Sequence, residues 1–283
     1  MLDALREWLL GLMTSALVGF DDMLADASDV LKGGLSSWAD VELLAGTLRP
    51  FCYTIIGICL LIELAQVASK VDILKWEHGL KICVKMVLAK VCIDIAPTFL
   101  EACYAQAQDW ISSLASGGST LGSTTLVYLT PLVNGVSGIG NILGLFLSTF
   151  VVILAIKVCG LMVQVIAYGR MFELYVYLVV SPLPCAFMPL GTGDGGGVSR
   201  ITSKFFKNFI AVCLQGVMMI VVIRVFDLVM SSSIETALQG AAGNANANSA
   251  ITDLVYTMLL GAIALVMAIF KSGNWAKSII DAM

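Results

Sequence analysis

Residues 139–163, IGNILGLFLSTFVVILAIKVCGLMV, and residues 171–190, MFELYVYLVVSPLPCAFMPL, decide the fold. About 20 apolar residues carry a helix across a bilayer, because in hydrocarbon every backbone N–H and C=O must be satisfied within the segment. The first stretch meets that requirement. The second is long enough but holds Ser181-Pro182-Leu183-Pro184 at its middle. Two prolines spaced by one residue remove two helical donors and clash with the preceding turn, so the segment is expected to break into a re-entrant hairpin. Non-helical backbone at membrane depth survives only when buried in protein or lining a cavity, which points the break toward the inside of an assembly.

The rest of the chain shares this character. Of 283 residues, 59% are hydrophobic and 13% charged, with mean hydropathy +0.93. An ordinary soluble domain carries about 25% charged and 45–50% apolar residues. The composition therefore excludes a soluble enzyme, a nucleic-acid-binding domain and a disordered protein. Residues 51–68, 84–103, 206–229 and 251–270 are further candidate spans. The apolar stretch from Trp8 to Phe20 has only 13 residues and reads as an interfacial amphipathic helix, although a short crossing with Met1 inside also fits the charges. The opening MLDALRE lacks the positive start of a signal peptide. The expected fold is an all-α polytopic membrane protein: about five transmembrane helices, a proline-broken re-entrant hairpin and an N-terminal amphipathic helix.

Basic residues orient the spans. Residues 1–48 hold Arg6 and Lys32 against eight acids, whereas Lys70, Lys75, Lys81, Lys85 and Lys90 crowd 70–90. No Lys or Arg occurs from Val91 to Ile156 or from Val225 to Phe270. Residues 1–48, 104–138 and 230–250 are therefore expected outside, and 70–83, 191–205 and 271–283 inside. One full span over 139–163 plus the hairpin at 171–190 satisfies the parity. Two regions follow, an extracytoplasmic amphipathic region at 1–48 and a transmembrane helical domain at 49–283.

Lys90, Asp94 and Glu101 stand at i, i+4 and i+11 on one helix face, and Lys90 can pair with Asp94. They form either a polar stripe lining a passage or an ion pair near the inner end with an acid at the outer interface. Glu63 and Gln66, one turn apart, suit hydrogen bonds between helices better than a proton relay. Arg224 and Asp227 are explained by snorkelling at the outer end of their span. Gly140 and Gly144 form a GxxxG suited to close packing on a helix of this chain or of a neighbouring copy. Gly191 to Gly196 matches GxGxxG, but without a βαβ context it predicts a turn leaving the membrane. Arg200, Lys204 and Lys207 share a face that suits anionic lipid headgroups, or else a cytoplasmic protein or passing nucleic acid. The eight cysteines lie mostly in apolar stretches beside a single histidine, His78, so they read as packing residues and no metal site is expected. No HExxH, GxSxG or GxxxxGK[ST] occurs, so no catalytic residue, cofactor or enzymatic activity is expected.

The run from Met171 through Glu173, Pro182 and Pro184 to Phe187, followed by Gly191–Gly196 and Lys204-Phe205-Phe206-Lys207-Asn208, resembles the central signature of TrbL-like polytopic membrane proteins of type IV secretion (conjugation) systems. The resemblance is clearest over about residues 139–230. It implies a non-enzymatic inner-membrane scaffold or channel component, forming a homo-oligomeric ring with five copies the favoured count. It also implies a role in stalk or pilus assembly and in passing a single-stranded DNA–protein substrate. Partners would be the secretion ATPase, pilin-like subunits and membrane lipids. Glu173, Pro182 and Pro184 would mark the structural core, with Lys90 and Asp94 toward a pore, and Arg200, Lys204 and Lys207 the cytoplasmic rim. About a dozen residues follow the last span, where larger relatives carry a long soluble tail. The competing reading is a secondary transporter with a midplane site at 171–190, although such transporters usually pair two broken segments. A lipid-modifying enzyme lacks a catalytic constellation.

Overall fold

A computed structural model describes residues 2–33, 38–70, 76–115, 133, 139–190, 200–242 and 247–282. The ordered elements are α1 (Leu2–Lys32), α2 (Trp38–Lys70), α3 (Trp76–Ala115), α4 (Ile139–Val180), a short α5 (Pro182–Ala186), a 3-10 turn (Met188–Leu190), α6 (Arg200–Ala242) and α7 (Ala247–Asp281). The chain is thus an all-α polytopic membrane protein. Expectations about the glycine run 191–196, His78 and most of the loops 104–138 and 230–250 fall wholly or largely outside the described residues or side chains.

Among the described residues, five helical stretches are long and apolar enough to cross a membrane: Arg6–Lys32, Asp40–Ala65, Ile142–Ala186, Ile201–Ile234 and Ile251–Asp281. The number matches expectation and the membership does not. The expected span 84–103 is not among them, because α3 carries Lys90, Asp94 and Glu101 there. Each such charge costs about 2.5–3.5 kcal/mol at the bilayer centre on insertion scales. The N-terminal stretch joins the set because α1 does not stop at Phe20 but continues to Lys32.

The separation of a span at 139–163 from a hairpin at 171–190 is also corrected. α4 runs unbroken for 42 residues. At 1.5 Å per residue it is about 60 Å long, twice the hydrocarbon thickness. Nothing between Val163 and Val180 can stop it. A lone Gly169 costs about 1 kcal/mol, and Arg170 pairs with Glu173 one turn on, at 2.5 Å. The first true breaker is Pro182, where the helix ends.

The chain forms two compact units. The first comprises Met1–Lys32, Trp110–Gly169 and Gln215–Trp275. Here α1 lies along α4 in parallel. Trp8 stacks on Phe146 with centroids 4.3 Å apart, and Gln164 Nε2 donates to Asp26 Oδ2 at 3.2 Å, the same residue offset at both ends. Between them Phe20 and Met23 close over Gly160. On α6, Phe226 meets the edge of Phe20, while Met230 and Gln215 press on Gly261 and Gly273 of the antiparallel α7. The second unit comprises Gly33–Asp109, Arg170–Leu214 and Ala276–Met283. In it α2 and α3 pack antiparallel, a register that places Pro50 of α2 level with Pro97 of α3. Large apolar side chains stay exposed in both units, among them Leu147, Val151 and Leu154 in the first and Leu61, Val87 and Ile95 in the second. Such faces suit lipid, not water.

Gly160 is the close-approach point of α1 and α4, because a Cβ there would lie 3.3 Å from both Met23 Cβ and Phe20 Cδ2. Gly160→Leu should destabilise the detergent-solubilised protein by about 1–3 kcal/mol, read as a lowered Tm. Gly169→Leu, on the same helix with nothing within 4 Å, should leave stability unchanged or raise it by up to about 1 kcal/mol. Equal losses would refute the α1–α4 contact.

Candidate functional site

The helix break is the least ordinary backbone in the second unit. In an unbroken helix the N–H of residue 182 would donate to the carbonyl of Leu178 and that of residue 184 to Val180. Both positions are proline, so both donors are lost. Ser181 answers the first loss. Its Oγ donates to the Leu178 carbonyl at 2.8 Å and its backbone N–H reaches the same oxygen at 3.4 Å. The carbonyl of Pro184 accepts a 2.7 Å bond from Thr202 Oγ, which ties the break to the start of α6. Ser181, Thr202, Pro182, Pro184, Cys185 and Ala186 are all buried. The apolar setting makes these bonds costly to lose.

Small side chains seat the break. Cys185 and Ala186 pack with Cys52 and Ile56 of α2 and with Ala89, Ile93 and Ala96 of α3. Ala and Cys let backbones approach closely, which is how helices pack where no hydrophobic effect drives them together. On the other side Tyr177 packs against Phe205 and Phe209 of α6, and Phe206 meets the edge of Phe99. The break is therefore buried in protein, as its prolines required.

The charges of α2 and α3 sort into two kinds. Lys85 Nζ reaches Glu63 Oε1 at 3.2 Å, with the Glu63 side chain 9% exposed. This pair joins the helices, the role expected of Glu63. Asp94 behaves otherwise than expected: it accepts a 2.5 Å hydrogen bond from Tyr53 Oη of α2. Among the described residues no ion pair joins it to Lys90. Lys90 instead flanks an open groove of about 580 Å³ with Tyr53, Ile56, Gly57, Met86 and Val87. Lys90 and Asp94 are both exposed on a surface otherwise formed by Val87, Leu88, Val91 and Ile95.

The remaining predicted residues divide similarly. Glu173 is held by Arg170 and half-buried. Lys204 and Lys207 are exposed at the start of α6, while the side chain of Arg200 is outside the described set. In the first unit, Arg224 is not a snorkelling residue. Its Nε donates to the Leu114 carbonyl at 3.1 Å and its Nη2 to that of Ala115, capping the end of α3. Orphan carbonyls at a helix C-terminus attract such a cation. Gly140 and Gly144 have nothing within 4 Å of their Cβ positions, so the GxxxG packs on no described part of this chain. Sequence reading missed Tyr53 and Thr202. Ser181, directly before Pro182, could have been recognised as a cap, but the other two bond partners 41 and 18 residues away.

Residues 42–182, about half of the chain, match the model of a family described as TrbL/VirB6 plasmid conjugal transfer like protein. The matched stretch runs from α2 to the first proline of the break. No curated protein and no solved structure matches the chain.

Two outcomes follow from these contacts. Thr202→Val should cost about 0.5–1.5 kcal/mol and raise hydrogen exchange of residues 185–187 selectively; unchanged exchange there would show that Thr202 does not hold the break. Lys85→Met leaves the buried Glu63 carboxylate without this partner and should cost about 1–3 kcal/mol, partly recovered by adding Glu63→Gln. Lys90→Met should leave thermal stability unchanged, and a loss matching that of Lys85→Met would contradict the pairing.

Proposed function

Since the chain belongs, through residues 42–182, to the TrbL/VirB6-like plasmid conjugal transfer proteins, we propose that it is a non-enzymatic scaffold and channel component of a conjugative type IV secretion system. It assists passage of a single-stranded DNA–protein substrate and assembly of the external stalk or pilus. Copies of the chain form a ring, with five the favoured count. The secretion ATPase, pilin-like subunits and membrane lipids are its partners.

One observation carries the reading. Lys90 and Asp94 are exposed on an otherwise apolar face of α3, a helix too charged to qualify as a span by itself, so that face can enter the bilayer only where protein or a water-filled space meets the charges. A neighbouring copy or a passage supplies that environment, and a single subunit surrounded by lipid does not. The open face at Gly140 and Gly144 is compatible with the same arrangement, because small residues admit a second helix.

In this reading the chain lies in the bacterial plasma membrane with its N-terminus outside and its C-terminus in the cytoplasm. Lys204 and Lys207 form a cytoplasmic rim, meeting anionic headgroups or the approaching substrate.

Counting subunits by cryo-EM class averaging of the purified protein tests the assembly. A closed ring with Lys90 and Asp94 toward its axis or its subunit contacts is expected; a monomer with a solute-sized midplane cavity would replace this reading with a transporter. In donor cells, Lys90→Met with Asp94→Asn should lower transfer about tenfold or more at equal protein level, since one lost interaction of 1.4 kcal/mol already gives that factor. Wild-type transfer would remove the charged face from the mechanism.

A further inference from the structure

We propose that Cys92 of α3 and Cys185 of α5 form a two-electron redox site, closed to a disulfide by a lipid-soluble oxidant of the quinone class. Their sulfurs lie 3.2 Å apart, although 93 residues separate them in sequence. A disulfide needs 2.03–2.05 Å, so each sulfur moves by only about half an ångström.

The two thiols differ in access. Cys185 is fully buried at the helix break, whereas Cys92 is half-buried and forms one wall of a pocket of about 280 Å³. The other walls include Val91, Ile95, Phe99, Met188 and Phe206, and every lining residue is apolar. A charged aqueous oxidant such as oxidised glutathione would have to shed its hydration to enter. A flat, uncharged ring matches the apolar lining, beside the edge-packed rings of Phe99 and Phe206. Cys92 is thus the thiol that meets the oxidant, and Cys185 the one that resolves it.

The reaction balances within these partners. Each thiol loses one proton and one electron, the S–S bond forms, and the quinone gains two electrons and two protons to become a hydroquinone. The product ties the helix break covalently to α3. That position is otherwise held by packing and by Thr202 on the α6 side. Cys52 lies in the same core cluster and is the natural competitor for Cys185.

The test uses the full chain in phosphatidylethanolamine–phosphatidylglycerol vesicles. Samples are exposed to decyl-ubiquinone, to copper(II)–phenanthroline or to oxidised glutathione, freed of oxidant, unfolded in SDS with N-ethylmaleimide so that every remaining thiol is alkylated, digested and mapped by mass spectrometry. The quinone and the copper complex should abolish alkylation at Cys92 and Cys185 together and yield one linked peptide pair. Oxidised glutathione should leave both thiols alkylated. Cys52→Ser should not alter the result, and Cys92→Ser should remove the link while gel filtration shows an unchanged particle. Failure of both the quinone and the copper complex, or a link through Cys52 or between copies, overturns the pair. Closure by copper alone overturns the quinone assignment, and closure by oxidised glutathione overturns the lipid-side route.

Discussion

The carbonyl of Leu178 sets the constraint from which the second unit is built. Pro182 removes its helical donor, and in hydrocarbon no solvent group replaces it. Ser181 repairs it locally with its hydroxyl. Everything around the repair then serves to keep the segment out of lipid: Thr202 bonds the buried carbonyl of Pro184, and the small residues of α2 and α3 close over Cys185 and Ala186. The two prolines would be a defect in an isolated helix. Packed this way they give the chain a rigid turn at the end of a 42-residue helix.

Charge placement follows the same logic of cost. Lys85 and Glu63 neutralise each other between helices, and Arg224 spends its charge on the carbonyls that end α3. Both are internal solutions. Lys90 and Asp94 are left facing outward, Asp94 with only a phenol for company. Two charges exposed on an otherwise apolar face of α3 suit an environment of protein or water rather than lipid, and the match to a conjugal-transfer family is compatible with such an environment.

Length determines how the helices relate to a bilayer. α4 is about twice as long as the hydrocarbon core is thick, and α1 runs beside its first half in parallel. A short amphipathic segment lying in the interface would not keep a constant offset against a long helix over this distance. The reading of Trp8 to Phe20 by the 13-residue length of its apolar stretch missed this, because Asp21, Asp22 and Asp26 lie beyond it. One of them, Asp26, finds Gln164 instead, and the helix continues.

Composition and proline position determined the class by themselves: the apolar excess dictates helices in a membrane, and no arrangement of neighbours can make Pro182 or Pro184 donate a hydrogen bond. The break was therefore legible, as were the exposed lysines at the start of α6, since a local rule governs each. Partners distant in sequence were not legible. Whether Asp94 turned to Lys90 one turn away or to Tyr53 on another helix depended on the α2–α3 register, and whether Arg224 reached water or the end of α3 depended on where that helix stopped. The neighbouring sulfurs of Cys92 and Cys185 belong to the same kind. Sequence spacing specifies which side chains share a face of one helix, but only packing decides which faces meet.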